Sequence, residues 1–425
     1  MLRAKGHLDA QTAVKSVTDR LAVIRDGVKG DKALIDVTYD GSTTLPTTFF
    51  VKFSIGRLSA MRLLCVTSEV SECEALFYER LAPRPECPVR TPRCYFTDYH
   101  ETTGEFILLA EHIPFGGARV RPLQHRVRDA PDLGELTRLV AAGARLHCAF
   151  WGTRALALGV RRYDATHRRA WPLMQLLSAL GLRHTVRRTL KGRPLATRFA
   201  TWRPPAALVG KEWALIRDMP ALLTSLCDET ELTAFGHNDI VADNVYFERA
   251  LPEWLPGGPP GGGAGGDAAP DFGFFDWQQS CVNSVGQEWA WNFHFLPPEF
   301  LTAHEDTLLR VALDTYAAHG VPVDAAALRR HYVLGCAQMY CFSGGGLQAL
   351  MGRLEQRGLL ADLRPDDHRC RAAHGADADG GTLRELLVGA EMSRRAFTNA
   401  CAIMERHHFV DEWRRWRRAR GLGEP

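Results

Sequence analysis

The sequence lacks the features of a membrane protein or a secreted protein. Its 425 residues contain no uninterrupted apolar run of the roughly 18 residues that a membrane-spanning helix needs. The segment from Met1 to His7 includes no apolar stretch of the kind that signal peptides carry. The 11 cysteines form no C-x-x-C pair, a pattern that favours free thiols. We therefore expect a cytoplasmic protein that does not interact with a membrane.

The sequence also has no large excess of charge of one sign and no internal repeat. Lysine and arginine total 52 against 49 aspartates and glutamates, and the formal net charge is +3. This balance gives no reason to expect a nucleic-acid partner. Hydrophobic residues make up 46% and charged residues 24%, a composition that excludes wholesale disorder. The length allows about two to four domains or one two-lobed unit, and we expect a monomer or a weak dimer.

Residues 1–110 carry the pattern of short strands with one helix. β-Branched and aromatic runs separated by turn residues predict an antiparallel meander followed by a strand pair. Between them, residues 68–81 alternate apolar and acidic side chains at helical spacing, and Pro83 ends the run. The predicted strands cover residues 21–24, 33–39, 49–53, 94–96 and 106–110. These residues are therefore predicted to form a small β-rich lobe.

Residues 111–425 carry mainly helical patterns, so the predicted fold class is α+β with a large helical second lobe. Gly344–Gly346 is expected to break a helix. Two polar stretches, 251–271 and 362–381, are predicted to be disordered insertions because of their composition and length. The predicted helices cover residues 135–151, 205–226, 299–319, 324–342 and 384–417.

One pattern combines the residue types that phosphoryl transfer requires. His237, Asp239 and Asn244 form H-x-D-x-x-x-x-N, and a later apolar run ends in Asp276. In phosphoryl transfer one carboxylate orients the attacking hydroxyl and accepts its proton, while an amide and a second carboxylate hold Mg²⁺ against the nucleotide phosphates. Asp239 suits the first role, and Asn244 and Asp276 suit the second. His237 is expected to pack beneath the loop. Taken singly, an aspartate here is also typical of a helix cap and an asparagine of a loop, but the addition of Asp276 favours the phosphoryl-transfer interpretation.

A lysine in an apolar strand is the second indication. Lys52 lies within Phe49–Phe53, where an ammonium group needs a partner unless it reaches solvent at a sheet edge. Glu74, on the predicted helix, is our choice for that partner. Glu72 and Glu69 lie on the same helix and remain alternatives.

Five motifs occur in an order that resembles one family. They are the strand lysine, the Glu74-x-x-Phe77-Tyr78 helix, the run Leu146–Trp151, the H-x-D-x-x-x-x-N loop and Asp276-Trp277-Gln278. This set resembles the aminoglycoside phosphotransferase and choline kinase group, and within it the ecdysteroid-kinase-like, or CHK kinase-like, branch. The resemblance implies a bilobal protein-kinase-like fold, ATP as donor, Mg²⁺ as cofactor and a small-molecule alcohol as acceptor.

The resemblance also implies a role for each matching residue. By position, Asp239 matches the catalytic base, Lys52 the phosphate-binding lysine and Glu74 its ion-pair partner. Asn244 and Asp276 match the metal ligands. The implied nucleotide contacts are the backbone around Glu111 and the turn that contains Gly27 and Gly30.

Several positions depart from the family pattern. Asn238 stands where the family usually has glycine, and we expect it to be tolerated on an exposed loop. Glu288 stands where the family commonly has the aspartate that secures the catalytic loop, and the longer carboxylate is expected to make the same contact. The phosphate turn has only two glycines, Gly27 and Gly30. A literal D-F-G begins at Asp271, but the family's metal aspartate follows the strand, which favours Asp276.

Two alternatives to a small-molecule kinase remain open on the sequence. The first is a catalytically silent, kinase-like nucleotide-binding or scaffold protein, which the glycine-poor turn would favour. The second is a protein kinase, although H-R-D and A-P-E are absent. The aromatic run from Trp289 to Phe295 suits either an acceptor pocket or core packing. Gly257–Gly266 lies between two proposed metal ligands, so it is predicted to be a mobile loop and not a domain boundary.

Overall fold

A computed structural model describes most of the chain, which divides into two compact units. The described residues are 2–425 apart from 4, 9–11, 21–30, 55–69, 128, 168–170, 174, 177–178, 181–194, 198, 200, 250–270, 366 and 372–379. The first unit comprises Met1–Gln124, Leu156–Arg161 and Ala242–Ser280. The second comprises His125–Ala155, Arg162–Val241 and Cys281–Pro425.

The first unit is built on a five-stranded antiparallel sheet. Its strands are β1 (Ala13–Arg20), β2 (Asp31–Asp40), β3 (Thr48–Phe53), β4 (Cys94–Tyr99) and β5 (Phe106–Glu111). They lie in the order β1-β2-β3-β5-β4. Helix Val70–Leu76 connects β3 to β4 in the sequence and continues as a π-helical turn, Phe77–Leu81. Strands Val245–Phe247 and Phe272–Phe274 form a separate antiparallel pair, and Ala242–Asn244 and Trp277–Gln279 are single 3₁₀ turns.

Alternating apolar side chains explain why these segments form a sheet. Phe49 is fully buried on β3 and packs edge-on against Tyr95 of β4, with ring centroids 5.1 Å apart. Leu8, Val37, Leu45 and Leu109 complete this core. The predicted strand at 21–24 lies outside the described residues. The described strand before β2 is β1, whose Val17 is 58% exposed, so β1 is held by backbone pairing with β2 more than by burial.

The second unit is mainly helical, as the sequence predicted. Its helix starts are set by capping side chains: Asp132, Ser284 and Asp324 each accept a hydrogen bond from a backbone N–H in the first turn. Strand Thr233–Gly236 pairs with Cys281–Ser284. The helices are Leu133–Ala149, Tyr163–His167, Glu212–Asp228, Val285–Phe293, Pro298–Ala318, Ala325–Gln356, His368–Arg371, Gly380–Arg406 and Phe409–Ala419. Short elements are helix Arg154–Ala157, the 3₁₀ turns Ala206–Leu208 and Thr230–Leu232, and the pair Leu195–Ala196 with Thr201–Trp202.

The expectation that Gly344–Gly346 breaks a helix is wrong. Helix Ala325–Gln356 runs through all three glycines, and Leu347, Met351 and Leu354 beyond them are buried. Each glycine costs about 1 kcal/mol of helix propensity relative to alanine. The apolar face that this helix buries against Gly380–Arg406 outweighs that cost.

The fold class is α+β, with an antiparallel sheet in the first unit and mainly helices in the second. Of the predicted insertions, residues 251–270 lie outside the described residues. Within 362–381 the structure gives the helix His368–Arg371 and the start of Gly380–Arg406. In the part of the chain that the structure describes, no helix is both long and apolar enough to cross a membrane. The cysteines whose side chains are described form no disulfide.

Candidate active site

Three elements of the first unit bring one buried lysine and two carboxylates together. The Lys52 side chain, on β3, is 3% exposed. Its Nζ donates to Glu74 Oε2 on helix Val70–Leu76 at 2.7 Å, and to Asp276 Oδ1 at 2.7 Å. The side chain of Glu74 is 2% exposed and that of Asp276 is 27% exposed. When all three groups are ionised, the cluster carries net negative charge, and Asp276 is its solvent-accessible member.

The two carboxylates keep the buried lysine protonated. Burial lowers the pKa of Lys52, but Asp276 and Glu74 together raise it by more, so the net pKa lies above the usual lysine value. Burial raises the pKa of Glu74, and Lys52 opposes that rise. The alternative partner Glu72 instead accepts a hydrogen bond from Arg161 Nε at 2.8 Å. Glu69 lies outside the described residues.

Trp277 fixes the position of Asp276. The indole of Trp277 is fully buried and stacks on Phe77, with ring centroids 3.5 Å apart. Its backbone N–H donates to Glu74 Oε1 at 3.2 Å, and its Nε1 donates to Thr91 Oγ1 at 3.2 Å. Glu74 therefore binds both Lys52 and the residue that follows Asp276, which couples the helix to this turn.

Asn244 and Asp276 lie at the same end of one strand pair. Asn244 directly precedes strand Val245–Phe247, and Asp276 follows Phe272–Phe274, its antiparallel partner. Phe275 N–H donates to the backbone oxygen of Asn244 at 3.0 Å, which closes this end. Asp276 has a left-handed backbone, with φ of 64°, a conformation that aspartate tolerates better than most residues. Asn244 is 5% exposed.

This donor set fits Mg²⁺ when the rest of the coordination shell comes from the substrate and from water. Mg²⁺ prefers oxygen ligands and is commonly held by one or two carboxylates together with substrate phosphates. Asn244 supplies an amide oxygen and Asp276 a carboxylate at the same end of the strand pair. Among the described residues, no three His, Cys, Asp or Glu side chains are grouped to hold a metal ion. Asn244 and Asp276 are therefore the residues that could hold a metal at this end of the strand pair.

In the second unit, helix Val285–Phe293 holds the segment that carries Asp239. Trp291 Nε1 donates to Asp239 Oδ1 at 3.0 Å, and Asn292 Oδ1 accepts a hydrogen bond from Ile240 N–H at 2.9 Å. The Asp239 side chain is 15% exposed. His237, at the start of the same segment, is fully buried. The Asp239 carboxylate is thus held by a neighbouring helix while remaining partly accessible.

The expectation of an exposed Asn238 is wrong, because this residue is 3% exposed. Its backbone is left-handed, with φ of 56°, which explains why glycine suits this position. The side chain bridges two strand ends: its Nδ2 donates to Gly236 O at 3.1 Å and to Cys281 O at 3.2 Å. Its Oδ1 accepts a hydrogen bond from Asn283 Nδ2 at 2.8 Å. Asn238 is tolerated because its amide is fully used inside the fold.

Glu288 makes the contact expected of the shorter family aspartate. Its Oε1 accepts a hydrogen bond from Asn238 N–H at 2.9 Å, and its Oε2 pairs with His147 Nε2 at 2.9 Å. Burial raises the pKa of Glu288, but His147, the Asn238 N–H and His237 together lower it by more, so the net pKa lies below the usual glutamate value. Gly236 makes room for this carboxylate, since a Cβ there would overlap Glu288 Oε2.

We expect Asn238→Ala to destabilise the protein by about 2–4 kcal/mol. The substitution leaves buried polar groups unpaired, and alanine tolerates the left-handed backbone conformation less well than asparagine does. Asn238→Gly removes the same hydrogen bonds but suits the backbone, so its loss should be smaller by about 1 kcal/mol. Urea unfolding of both variants measures the difference. Equal losses would mean that the backbone conformation contributes nothing at this position.

The other predicted residues are placed as follows. Glu111 ends β5; its N–H donates to Arg93 O at 2.8 Å and its Oε2 accepts from Arg93 N–H at 3.1 Å. Gly27 and Gly30 lie outside the described residues. Asp271 is exposed at the start of strand Phe272–Phe274, and its backbone oxygen accepts a hydrogen bond from Glu248 N–H at 2.7 Å.

Arg126 was not predicted from the sequence. Its Nη1 lies 3.7 Å from Asp239 Oδ1, and its guanidinium lies over the Phe295 ring, 4.9 Å from the centroid. No motif surrounds Arg126, so only the tertiary structure could identify it. The aromatic run from Trp289 to Phe295 was considered for either an acceptor pocket or core packing, and its members differ in this respect. Trp289 and Phe293 are buried in the core, whereas Trp291 contacts Asp239.

The comparisons with known proteins give structural likeness only. No known family model matches the chain, and no curated protein matches it. One similar solved structure is a microcompartment-associated aminopropanol kinase, at 13% identity and a TM-score of 0.43, covering 97% of each chain. Another is Plasmodium vivax ethanolamine kinase, at 12% identity and a TM-score of 0.42, covering 95% of this chain and 86% of that one. A third is Cryptosporidium parvum choline kinase, at 10% identity and a TM-score of 0.40, covering 96% and 91%.

Proposed function

We propose that the chain is an ATP- and Mg²⁺-dependent phosphotransferase that moves the γ-phosphoryl group to a hydroxyl of a small-molecule alcohol, in the manner of the CHK kinase-like branch. The observation that carries this proposal is the buried cluster in which Lys52 bonds to both Glu74 and Asp276. A buried ammonium group is neutralised by a single carboxylate. Here two carboxylates share one, and the more exposed of them stands beside Asn244.

The net negative charge of this cluster suits a bound cation. Glu74 is buried and committed to Lys52 and to Trp277 N–H. Asp276 is the carboxylate that a metal could reach, with Asn244 as its neighbour at the end of the strand pair. Bound Mg²⁺ would offset the charge on the nucleotide phosphates. Lys52 would then supply its ammonium group to the phosphate oxygens, since its protonated form is favoured.

The proton and bond changes assign one role to Asp239. The acceptor hydroxyl donates its proton to the Asp239 carboxylate while its oxygen bonds to the γ-phosphorus. The bond from that phosphorus to the bridging oxygen breaks, and ADP leaves. Trp291 keeps the carboxylate oriented through its hydrogen bond to Oδ1. The Glu111 N–H is already hydrogen-bonded to Arg93 O within the sheet. The backbone groups after Glu111 would therefore contact the adenine.

Replacing Asp276 and Asp271 in separate variants tests which aspartate is the metal ligand. We expect Asp276→Asn to lower kcat/KM for Mg-ATP by roughly 10²–10³-fold. Asp276 is both the proposed metal ligand and a partner of Lys52, and the substitution removes its charge. Asp271→Asn is the matched control, because Asp271 begins the same strand run but is exposed. Its rate should stay near that of the parent protein. A larger loss in Asp271→Asn than in Asp276→Asn would reverse the assignment of the metal ligand.

Nucleotide binding and turnover together separate the enzyme from a silent scaffold. Mg-ATP should raise the Tm of the parent protein, and ATP should be consumed in the presence of alcohols. A Tm shift without ATP consumption across a broad alcohol library would favour the nucleotide-binding scaffold. No Tm shift would contradict nucleotide binding altogether.

A further inference from the structure

Arg126 places a positive charge beside the proposed catalytic carboxylate. At 3.7 Å, its approach to Asp239 Oδ1 is an ion contact, longer than a hydrogen bond. The guanidinium lies over the Phe295 ring, with its Cζ 4.9 Å from the centroid. A guanidinium binds oxyanions in bidentate fashion through its planar edge.

A buried network fixes the backbone that carries Arg126. Arg395 Nη1 donates to Arg126 O at 2.8 Å, and its Nη2 donates to Val127 O at 3.3 Å. Arg395 is 1% exposed and is itself held by Glu391, whose Oε1 accepts from Arg395 Nε at 2.9 Å. On the other side, Asp129 N–H donates to His125 O at 3.0 Å and closes a turn around Arg126. The backbone that carries Arg126 is therefore held in place without a ligand, which lowers the cost of ordering it on binding.

We infer that Arg126 recognises an anionic group on the acceptor, so that the substrate is an alcohol carrying a carboxylate or a phosphate near its reacting hydroxyl. This inference rests on the proposed function, which places that hydroxyl at Asp239. A hydroxyl that donates to Asp239 lies within about 3 Å of its carboxylate, so the adjoining groups of the acceptor come within a few ångströms of Arg126. An oxyanion there is attracted to the guanidinium, whereas an ammonium group is repelled by it.

Two sets of alcohols that differ only in charge test this inference. The first set is glycerate, glycerol and 3-aminopropane-1,2-diol, and the second is gluconate, sorbitol and glucamine. Each is supplied to the full chain with Mg-ATP, and the phosphorylated product is measured. We expect kcat/KM for the anionic member to exceed that for the cationic member by about 100-fold or more in at least one set.

Variants of Arg126 test whether this residue causes the preference for anionic alcohols. Arg126→Gln should reduce kcat/KM for the anionic alcohol about 100-fold more than for the neutral one, and Arg126→Lys should recover part of the loss. Arg138→Gln, an exposed arginine on helix Leu133–Ala149, is the matched control and should leave the anionic-to-neutral ratio unchanged. Tm values of all three variants establish that they fold.

The possible failures are distinguishable from one another. The inference is overturned if the amino alcohols are turned over in preference to the anionic ones. It is also overturned if no alcohol in either set is phosphorylated while Mg-ATP still raises the Tm. Equal losses for anionic and neutral alcohols in Arg126→Gln also overturn it, because Arg126 would then act on the transferred phosphoryl group. Absence of any Mg-ATP binding contradicts the proposed function itself.

Discussion

Asp239→Asn is expected to lower kcat by roughly 10²–10⁴-fold, the range that a positioned general base contributes. The amide that replaces the carboxylate still accepts the hydrogen bond from Trp291 Nε1, so the geometry of the loop should survive. What is lost is the group that takes the proton of the acceptor hydroxyl. Steady-state turnover measures the effect, and titration with Mg-ATP should give a Kd near that of the parent protein.

Asp243→Asn is the matched control for this prediction. Asp243 lies in the same H-x-D-x-x-x-x-N segment and has no proposed role. Its kcat should remain within a few-fold of the parent value. Unchanged turnover in Asp239→Asn, or an equal loss in both variants, contradicts the assignment of Asp239 as the base.

Lys52→Met is expected to have the second large effect, on both stability and nucleotide binding. It removes the ammonium group that Glu74 and Asp276 share and leaves one fully buried carboxylate unpaired. Breaking a buried ion pair from one side costs about 3–5 kcal/mol. Affinity for Mg-ATP should fall at least about tenfold, because a charge-assisted contact to the phosphates is lost. Urea unfolding and nucleotide titration measure the two effects.

Two further variants separate stability from binding. Lys15→Met changes an exposed strand lysine of the same sheet and should affect neither property by much. Lys52→Met combined with Glu74→Gln removes the unpaired charge but keeps an oxygen for Trp277 N–H, so it should regain part of the stability. Nucleotide affinity should stay low in this double variant. Recovery of affinity together with stability would show that Lys52 acts only in folding.

Local patterns in the sequence were sufficient to predict much of the fold. The strands over 33–39 and 49–53 and the helices over 135–151 and 299–319 were predicted because their apolar spacing matches their burial. The strand and helix patterns predicted the α+β fold class, which the structure confirms. The roles proposed for Asp239, Asn244, Asp276 and Lys52 remain predictions. The structure adds their surroundings, including the shared contact of Lys52 with Glu74 and Asp276.

Features that depend on distant residues could not be predicted. Arg126 is held by Arg395, far along the chain, and no local pattern reveals that contact. The burial of Asn238 could not be predicted, because it depends on contacts with the distant residues Asn283 and Glu288. The helix through Gly344–Gly346 persists because tertiary packing outweighs a local preference. In each case long-range contacts decide the outcome.

The central claim, that the chain is a small-molecule kinase, is tested most directly by following the phosphoryl group. The purified protein is incubated with Mg-ATP labelled at the γ-phosphate and a mixture of alcohol metabolites, and the products are separated by mass. We expect label in a small phosphorylated alcohol, and no such product from Asp239→Asn. Label that appears only in protein would indicate a protein kinase, and ATP that binds without being consumed would indicate a scaffold; either result contradicts the claim.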